Sequence, residues 1–256
     1  MDLAHRVAVQ MYTLREDTRT GEGFREALRK CAEIGYPAVQ LSAVGCMDGE
    51  RPEVSPAQAR AWLDEFGLRC VATHRPWERL SGKTHEEIEF HQALGCGYTA
   101  LGWLMQDYQE RKHEGYADWC RQAVELSARY AAAGIRLGYH NHAFEFEAVG
   151  GKPLYENFVE AGPALHLEVD TYWVHMGGQD PAALLRRVPG RVSVIHVKDA
   201  SPEGEMRAVG EGVLDWDAIL DAGKASGVEW YIVEQDVCDR DPYDCLASSF
   251  RFLSGC

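Results

Sequence analysis

The chain has 256 residues, 46% of them hydrophobic and 26% charged, with a formal net charge of −14. That length admits two small domains or one large α/β barrel of about 250 residues, and the acidic balance opposes a nucleic-acid partner, which is bound largely through Lys and Arg. No run reaches the roughly 18 apolar residues of a membrane span, and MDLAHRVAVQMY enters a strand pattern without the basic and apolar regions of an export signal, so no membrane partner and a cytoplasmic location are expected.

Along the chain, strand and helix patterns alternate with no composition break that would mark a linker, which predicts one α/β domain over residues 1–256. Strands are expected near 7–12, 38–42, 69–74, 98–104, 135–142, 164–170, 192–198 and 230–234. After the first strand, GFREALRKCAEIG repeats Phe24, Ala27, Leu28, Cys31 and Ile34 at helical spacing and stops at Gly35. SPAQARAWLDEFG starts with Ser55 and Pro56 and stops at Gly67, and later helices stop at Gly134 and Gly227. Repeated βα units of this kind close a (β/α)8 TIM barrel. An open doubly wound sheet is disfavoured because the first strand runs into QMYTLRED and not into a Gly-x-Gly-x-x-Gly turn, and no Walker sequence is present, so neither NAD nor ATP is implied. The eight cysteines are dispersed without a Cys-x-x-Cys and read as reduced, mostly buried residues.

The second half of the chain carries the chemistry. Four strand patterns end on ligand-type residues: His140 in IRLGYHNH, Asp170 in ALHLEVD, His196 in VSVIHVKD and Glu234 in WYIVEQD. In a TIM barrel these ends meet at one rim, where active sites are built. Two imidazoles and two carboxylates suit a catalytic divalent ion, Mn²⁺ first, with Zn²⁺, Co²⁺ or Mg²⁺ as alternatives, better than a thiolate-rich structural site. His142 shares a face with His140 and is a substitute ligand. Lys198, two residues after His196, faces the same way and could steady an oxyanion. His74 ends VATH at the same rim and is an acid/base candidate. Tyr12, Trp77, Trp103, Tyr172 and Trp173 fall at or just past strand ends, where rings stack on a sugar, and Glu145 is a candidate for sugar hydroxyls. SPEGEMRAVGEGVLDW, with glycines around Glu211, reads as a mobile rim loop.

The pieces EVDTYWVHMGGQDP, VIHVKD, GEGVLDW and IVEQD resemble the sugar phosphate isomerase/epimerase family with the xylose isomerase-like barrel, which also includes inosose dehydratases and endonuclease IV. The resemblance implies a metal held by residues from strands five to eight. It falls on Asp170, His196 and Glu234, while His140 takes the place of the family's first Glu. It also implies proton abstraction beside a carbonyl of a keto-sugar, cyclitol or related polyol, with Glu234 as base. Isomerisation or epimerisation is the leading outcome. The His-Asn-His run at 140–142 is more similar to inosose dehydratases, so dehydration is the alternative, and Trp173 stands where epimerases often place a His. A DNA-repair endonuclease is disfavoured by the acidic charge. A homo-oligomer is compatible with the sequence.

Overall fold

The computed structural model describes residues 3–255. Eight parallel strands close on themselves: β1 (Val7–Gln10), β2 (Ala38–Leu41), β3 (Arg69–His74), β4 (Tyr98–Leu101), β5 (Arg136–His140), β6 (His166–Asp170), β7 (Val194–Val197) and β8 (Trp230–Val233). Closure is made by β1 against β8, with Val7 opposite Tyr231 and Val9 opposite Val233. This is the (β/α)8 barrel expected from the alternating pattern. Several strands are shorter than the apolar runs suggest. Tyr12 lies in a 3₁₀ turn, Met11–Leu14, and Trp103 lies beyond the end of β4, because the chain leaves the ladder at the rim and turns outward into the loops.

The helices form the outer layer, and their ends follow local chemistry. In α1 (Gly21–Ile34) the Thr20 hydroxyl accepts a hydrogen bond from the N–H of Gly23 at 3.1 Å, and Gly35 ends the helix at φ 118°, a conformation that costs a glycine little. Its inner face buries Phe24, Ala27, Leu28 and Cys31. Each of the large apolar side chains there contributes about 1.5–3 kcal/mol by leaving water, and Phe24→Ala would cost about 3–5 kcal/mol because a cavity remains. In α2 (Pro56–Glu65) Ser55 caps the N–H of Gln58 at 3.2 Å.

The apolar interior has two compartments. A large one lies between strands and helices, and a small one, with Ala8, Ala38, Ala72, Tyr98, Val194 and Ile232, fills the barrel. A Cβ at Gly138 would come within 2.2 Å of the Tyr98 hydroxyl, so glycine on β5 makes room for that ring. The polar rim stands on this floor.

One expectation changes. The segment 201–216 is anchored, not a free rim loop: the buried Asp199 carboxylate accepts from the N–H groups of Gly210, Gly212 and Leu214 and from the indole N–H of Trp216, at 2.7–3.2 Å. Residues Asp199–Ala200 also pair with Met206–Arg207. Among the described residues the cysteines are unpaired, five of them in the first half of the chain and buried, while Cys256 lies outside the described residues. No helix is long and apolar enough to cross a membrane.

Candidate active site

Successive side chains of a strand point to opposite faces, so residues two apart share one. On β6 that rule sends Glu168 and Asp170 into the barrel together, and on β7 it sends His196 inward with Lys198 just beyond it. At the rim the four expected ligands come together. His140 Nε2 is 3.3 Å from Asp170 Oδ2, and His196 Nδ1 is 2.9 Å from Glu234 Oε2 and 3.7 Å from Asp170 Oδ2. Ligand-type atoms of His140, Asp170, His196 and Glu234 all lie within 4.8 Å of one another, a spread that an ion bonded at about 2.0–2.2 Å spans with small shifts. The outer contacts suit the same use. The far nitrogen of His196, Nε2, meets Gln40 Oε1 at 2.7 Å, and the N–H of Asp170 donates to Asn141 Oδ1 at 3.1 Å, which fixes ring and backbone as ligand residues require.

Lys198 shares these carboxylates. Its ammonium lies 3.1 Å from Asp170 Oδ2, 2.8 Å from Glu234 Oε2 and 3.2 Å from Asp236 Oδ1. Burial alone would favour the neutral amine, but Asp170, Glu234 and Asp236 outweigh it and raise its pKa. Burial would also raise Asp170 and Glu234, and Lys198 is the chief charge that instead holds both well below the usual carboxylate range. For His140, burial and then the neighbouring His196 lower the pKa, leaving the neutral imidazole that a ligand role needs.

Three residues join the site that the strand endings did not point to. Glu168, fully buried, receives His74 Nε2 at 2.6 Å and lies 3.2 Å from His196 Nε2. Gln40 bridges the strands, its amide donating to Glu168 at 2.9 Å while its oxygen meets His196. Asp236 is the third. Burial would raise the Glu168 carboxyl, but His196 and His74 reverse the shift and keep it ionised. His74, Glu168 and His196 thus form a second ligand-type group joined to the first through His196. On the other side of the His74 ring, a Cβ at residue 102 would come within 2.7 Å of Nδ1, so Gly102 keeps that nitrogen clear.

Above the polar floor opens a cavity of about 830 Å³, lined among others by Tyr12, His74, Trp103, His140, Trp173, Lys198 and Glu234. The aromatic candidates Tyr12, Trp77, Trp103 and Trp173 therefore reach it, whereas Tyr172 is buried with its hydroxyl donating to the carbonyl of Gly204 at 2.8 Å. His142 stands outside the four-residue group. Its ring packs on Trp103 at 4.7 Å and stacks on Phe144 at 5.6 Å. Glu145 corrects an expectation: it is fully buried and does not line the cavity. Its carboxyl takes the Tyr139 hydroxyl and, at 2.7 Å, the N–H of His142, fixing the turn after β5. Desolvation pushes its pKa up to about 8.

The comparisons agree with this fold. An inosose dehydratase from Lacticaseibacillus casei is 22% identical over 90% of this chain and 88% of its own length, and one from Geobacillus kaustophilus is 25% identical over 68% and 61%. Among solved structures, a sugar phosphate isomerase/epimerase from Parabacteroides distasonis superposes with a TM-score of 0.81 at 21% identity, covering 98% of this chain and 94% of that one. A probable 3-DHS dehydratase from Bacillus anthracis superposes with a TM-score of 0.75 at 11% identity, covering 97% and 98%. Residues 28–253 match the family model described as xylose isomerase-like TIM barrel. With the closed barrel and the polar rim carried by β5 to β8, the match places nearly the whole length in one lineage: the chain belongs to the xylose isomerase-like TIM-barrel family.

Proposed function

We propose that this protein is a divalent-metal-dependent enzyme that removes the proton beside a carbonyl of a keto-sugar or cyclitol, with loss of water as the outcome. Its expected ion is Mn²⁺, held by His140, Asp170, His196 and Glu234. Bound there, a divalent ion supplies Lewis-acid polarisation of a substrate oxygen. Glu234, at the end of β8, takes the carbon-bound proton. The Lys198 ammonium steadies negative charge on the carbonyl oxygen. His74 holds a proton at Nδ1 for the departing hydroxyl, with its other nitrogen tied to Glu168.

The observation that carries this reading is the unlike pair of proton carriers. Glu234 on β8 and the Glu168-backed His74 on β3 stand three strands apart around the eight-stranded ring. A carboxylate base and an imidazole acid suit elimination, in which one group takes a proton and the other gives one to the leaving group. Inversion through two carboxylates would need a second acid where His140 stands. The sequence relatives named as inosose dehydratases support the same choice.

The test is to follow inososes and keto-sugars by NMR in D₂O with added Mn²⁺. A dehydrated product is expected that carries deuterium at the carbon that lost the hydroxyl, where the enol left by elimination takes up a solvent proton. A stereoisomer or a product with a shifted carbonyl would make the enzyme an epimerase or isomerase. No exchange with any member of the panel would reject the reading.

A further inference from the structure

The cavity holds more than a sugar needs, and of a different character. Its floor is the polar group, but the segments that follow β2, β3, β4 and β5, partly helical, wall it with Val44, Met47, Trp77, Phe90, Trp103 and Phe144. Trp103 is 57% exposed, unusual for an indole, and it packs at 5.0 Å on Phe144, so the two rings form an apolar ledge open to solvent. At about 830 Å³ the cavity lies in the upper part of the range of about 300–1,000 Å³ that encloses drug-sized ligands.

Charge excludes the obvious way to fill that space. Among the described lining residues the permanent cations are Arg75 and Lys198, against Asp48, Glu78, Glu234 and Asp236. Both cations are offset by carboxylates, which leaves no net positive charge to hold a phosphate dianion. Lys198 is held by three carboxylates, and Arg75 donates from Nε and Nη2 to the buried Glu87 at 2.7 and 3.0 Å while its guanidinium lies 4.3 Å over the Phe90 ring. Phosphate-binding barrels commonly build that site after strands seven and eight. Here those loops carry Glu211, Asp236, Asp239 and Asp241, and Arg240 is paired to Glu211 at 2.8 Å.

We propose that the substrate is an unphosphorylated keto-sugar or keto-cyclitol joined to a flat apolar substituent, which rests on the arc from Val44 to Phe144 while the polyol ring meets the polar floor. This rests on the reading of the floor as a keto-polyol site. The substituent gains from leaving water and from edge or stacked contact with the rings.

Calorimetry with the Mn²⁺-loaded protein tests it, using matched methyl and phenyl β-glycosides of glucose, galactose and xylose together with glucose 6-phosphate and galactose 6-phosphate. At least one phenyl glycoside is expected to bind about tenfold tighter than its methyl partner, and the phosphates no tighter than the parent sugars. In Trp103→Ala the phenyl advantage should shrink to about threefold or less. Equal binding of phenyl and methyl partners, tighter binding of a phosphate, an unchanged advantage in Trp103→Ala, or binding by no glycoside would each overturn the inference. Solvent deuterium exchange into inososes is read separately. A phenyl advantage without exchange would remove the proposed chemistry and keep the pocket assignment, and exchange without the advantage would do the reverse.

Discussion

The two halves of the barrel mouth are built from different materials. In the arc from β5 to β8, β5 and β6 end on His140 and Asp170, His196 stands one residue before the end of β7 and Glu234 directly after β8, with Lys198 and Asp236 two residues beyond these last two. From β2 to β4 the strands contribute Gln40 and His74, and most of the wall belongs to the loops and short helices after them that carry Val44, Met47, Trp77, Phe90 and Trp103. Strands hold polar groups at fixed register, which chemistry needs, while loops can vary the apolar wall without moving the floor. The difference teaches that this barrel keeps its polar groups on and beside the strands of one half and its apolar wall in the segments that follow the strands of the other.

The largest effect expected under this division is at Glu234. Glu234→Gln should lower turnover by about 10²–10⁴-fold, because it would remove the proposed ligand and the proposed base together, and Mn²⁺ affinity measured by calorimetry should fall with it. Wild-type activity in this variant would break the assignment of the base to the β8 side. Glu168→Gln sharpens the boundary between the halves, since Glu168 lies on β6 but holds His74 on β3. It should reduce water loss about 10–100-fold while deuterium exchange at the carbon beside the carbonyl declines much less. Equal loss of both would reduce Glu168 to a structural role.

His140→Glu places a carboxylate at the end of β5. Any epimerase side activity should rise relative to elimination, measured as the product ratio by NMR. Equal loss of both products with metal still bound would show that residue 140 does not set the reaction course.

The smallest effect on activity concerns Glu145, which serves the turn after β5. Its carboxyl is pushed up to about 8 in the folded protein from an ordinary 4.5. The folded state therefore keeps a proton that the unfolded chain loses between these values, and stability must fall as pH rises through that window, by at most about 1.4 kcal/mol per pH unit. Glu145→Gln should flatten that part of the melting-temperature profile. An unchanged slope would assign the pH dependence to other groups.

The sequence made the polar half legible because alternation along a strand is a local rule. His196 with Lys198, and Asp170 at the end of an apolar run, can be placed on one face without knowing what lies opposite. Glu168 could have been read the same way, two residues before Asp170, and Gln40 as the polar residue inside AVQL. Asp236, two residues past Glu234, was open to the same argument. What the sequence could not show is decided across the fold. Glu145 is diverted from the cavity by the Tyr139 hydroxyl and the His142 N–H. His142 is drawn among aromatic rings whose packing depends on Trp103, far away in the chain. The strand ends were overextended because apolar character continues past the last ladder bond into the cavity wall.

Asp199 gives the region after β7 a further property. In the run His196, Val197, Lys198 and Asp199, two side chains serve the floor, and the last fastens residues 210, 212, 214 and 216 back to the strand end. The stretch between is held apart from the polar floor: residues 202–205 form the tip between Ala200 and its partner Met206, and they can be varied at the cost of the Tyr172 hydrogen bond to Gly204 while that pairing and the Asp199 carboxylate hold the flanks. For an engineer this is a grafting position beside a reactive pocket, where a new recognition element can be installed without realigning the groups below.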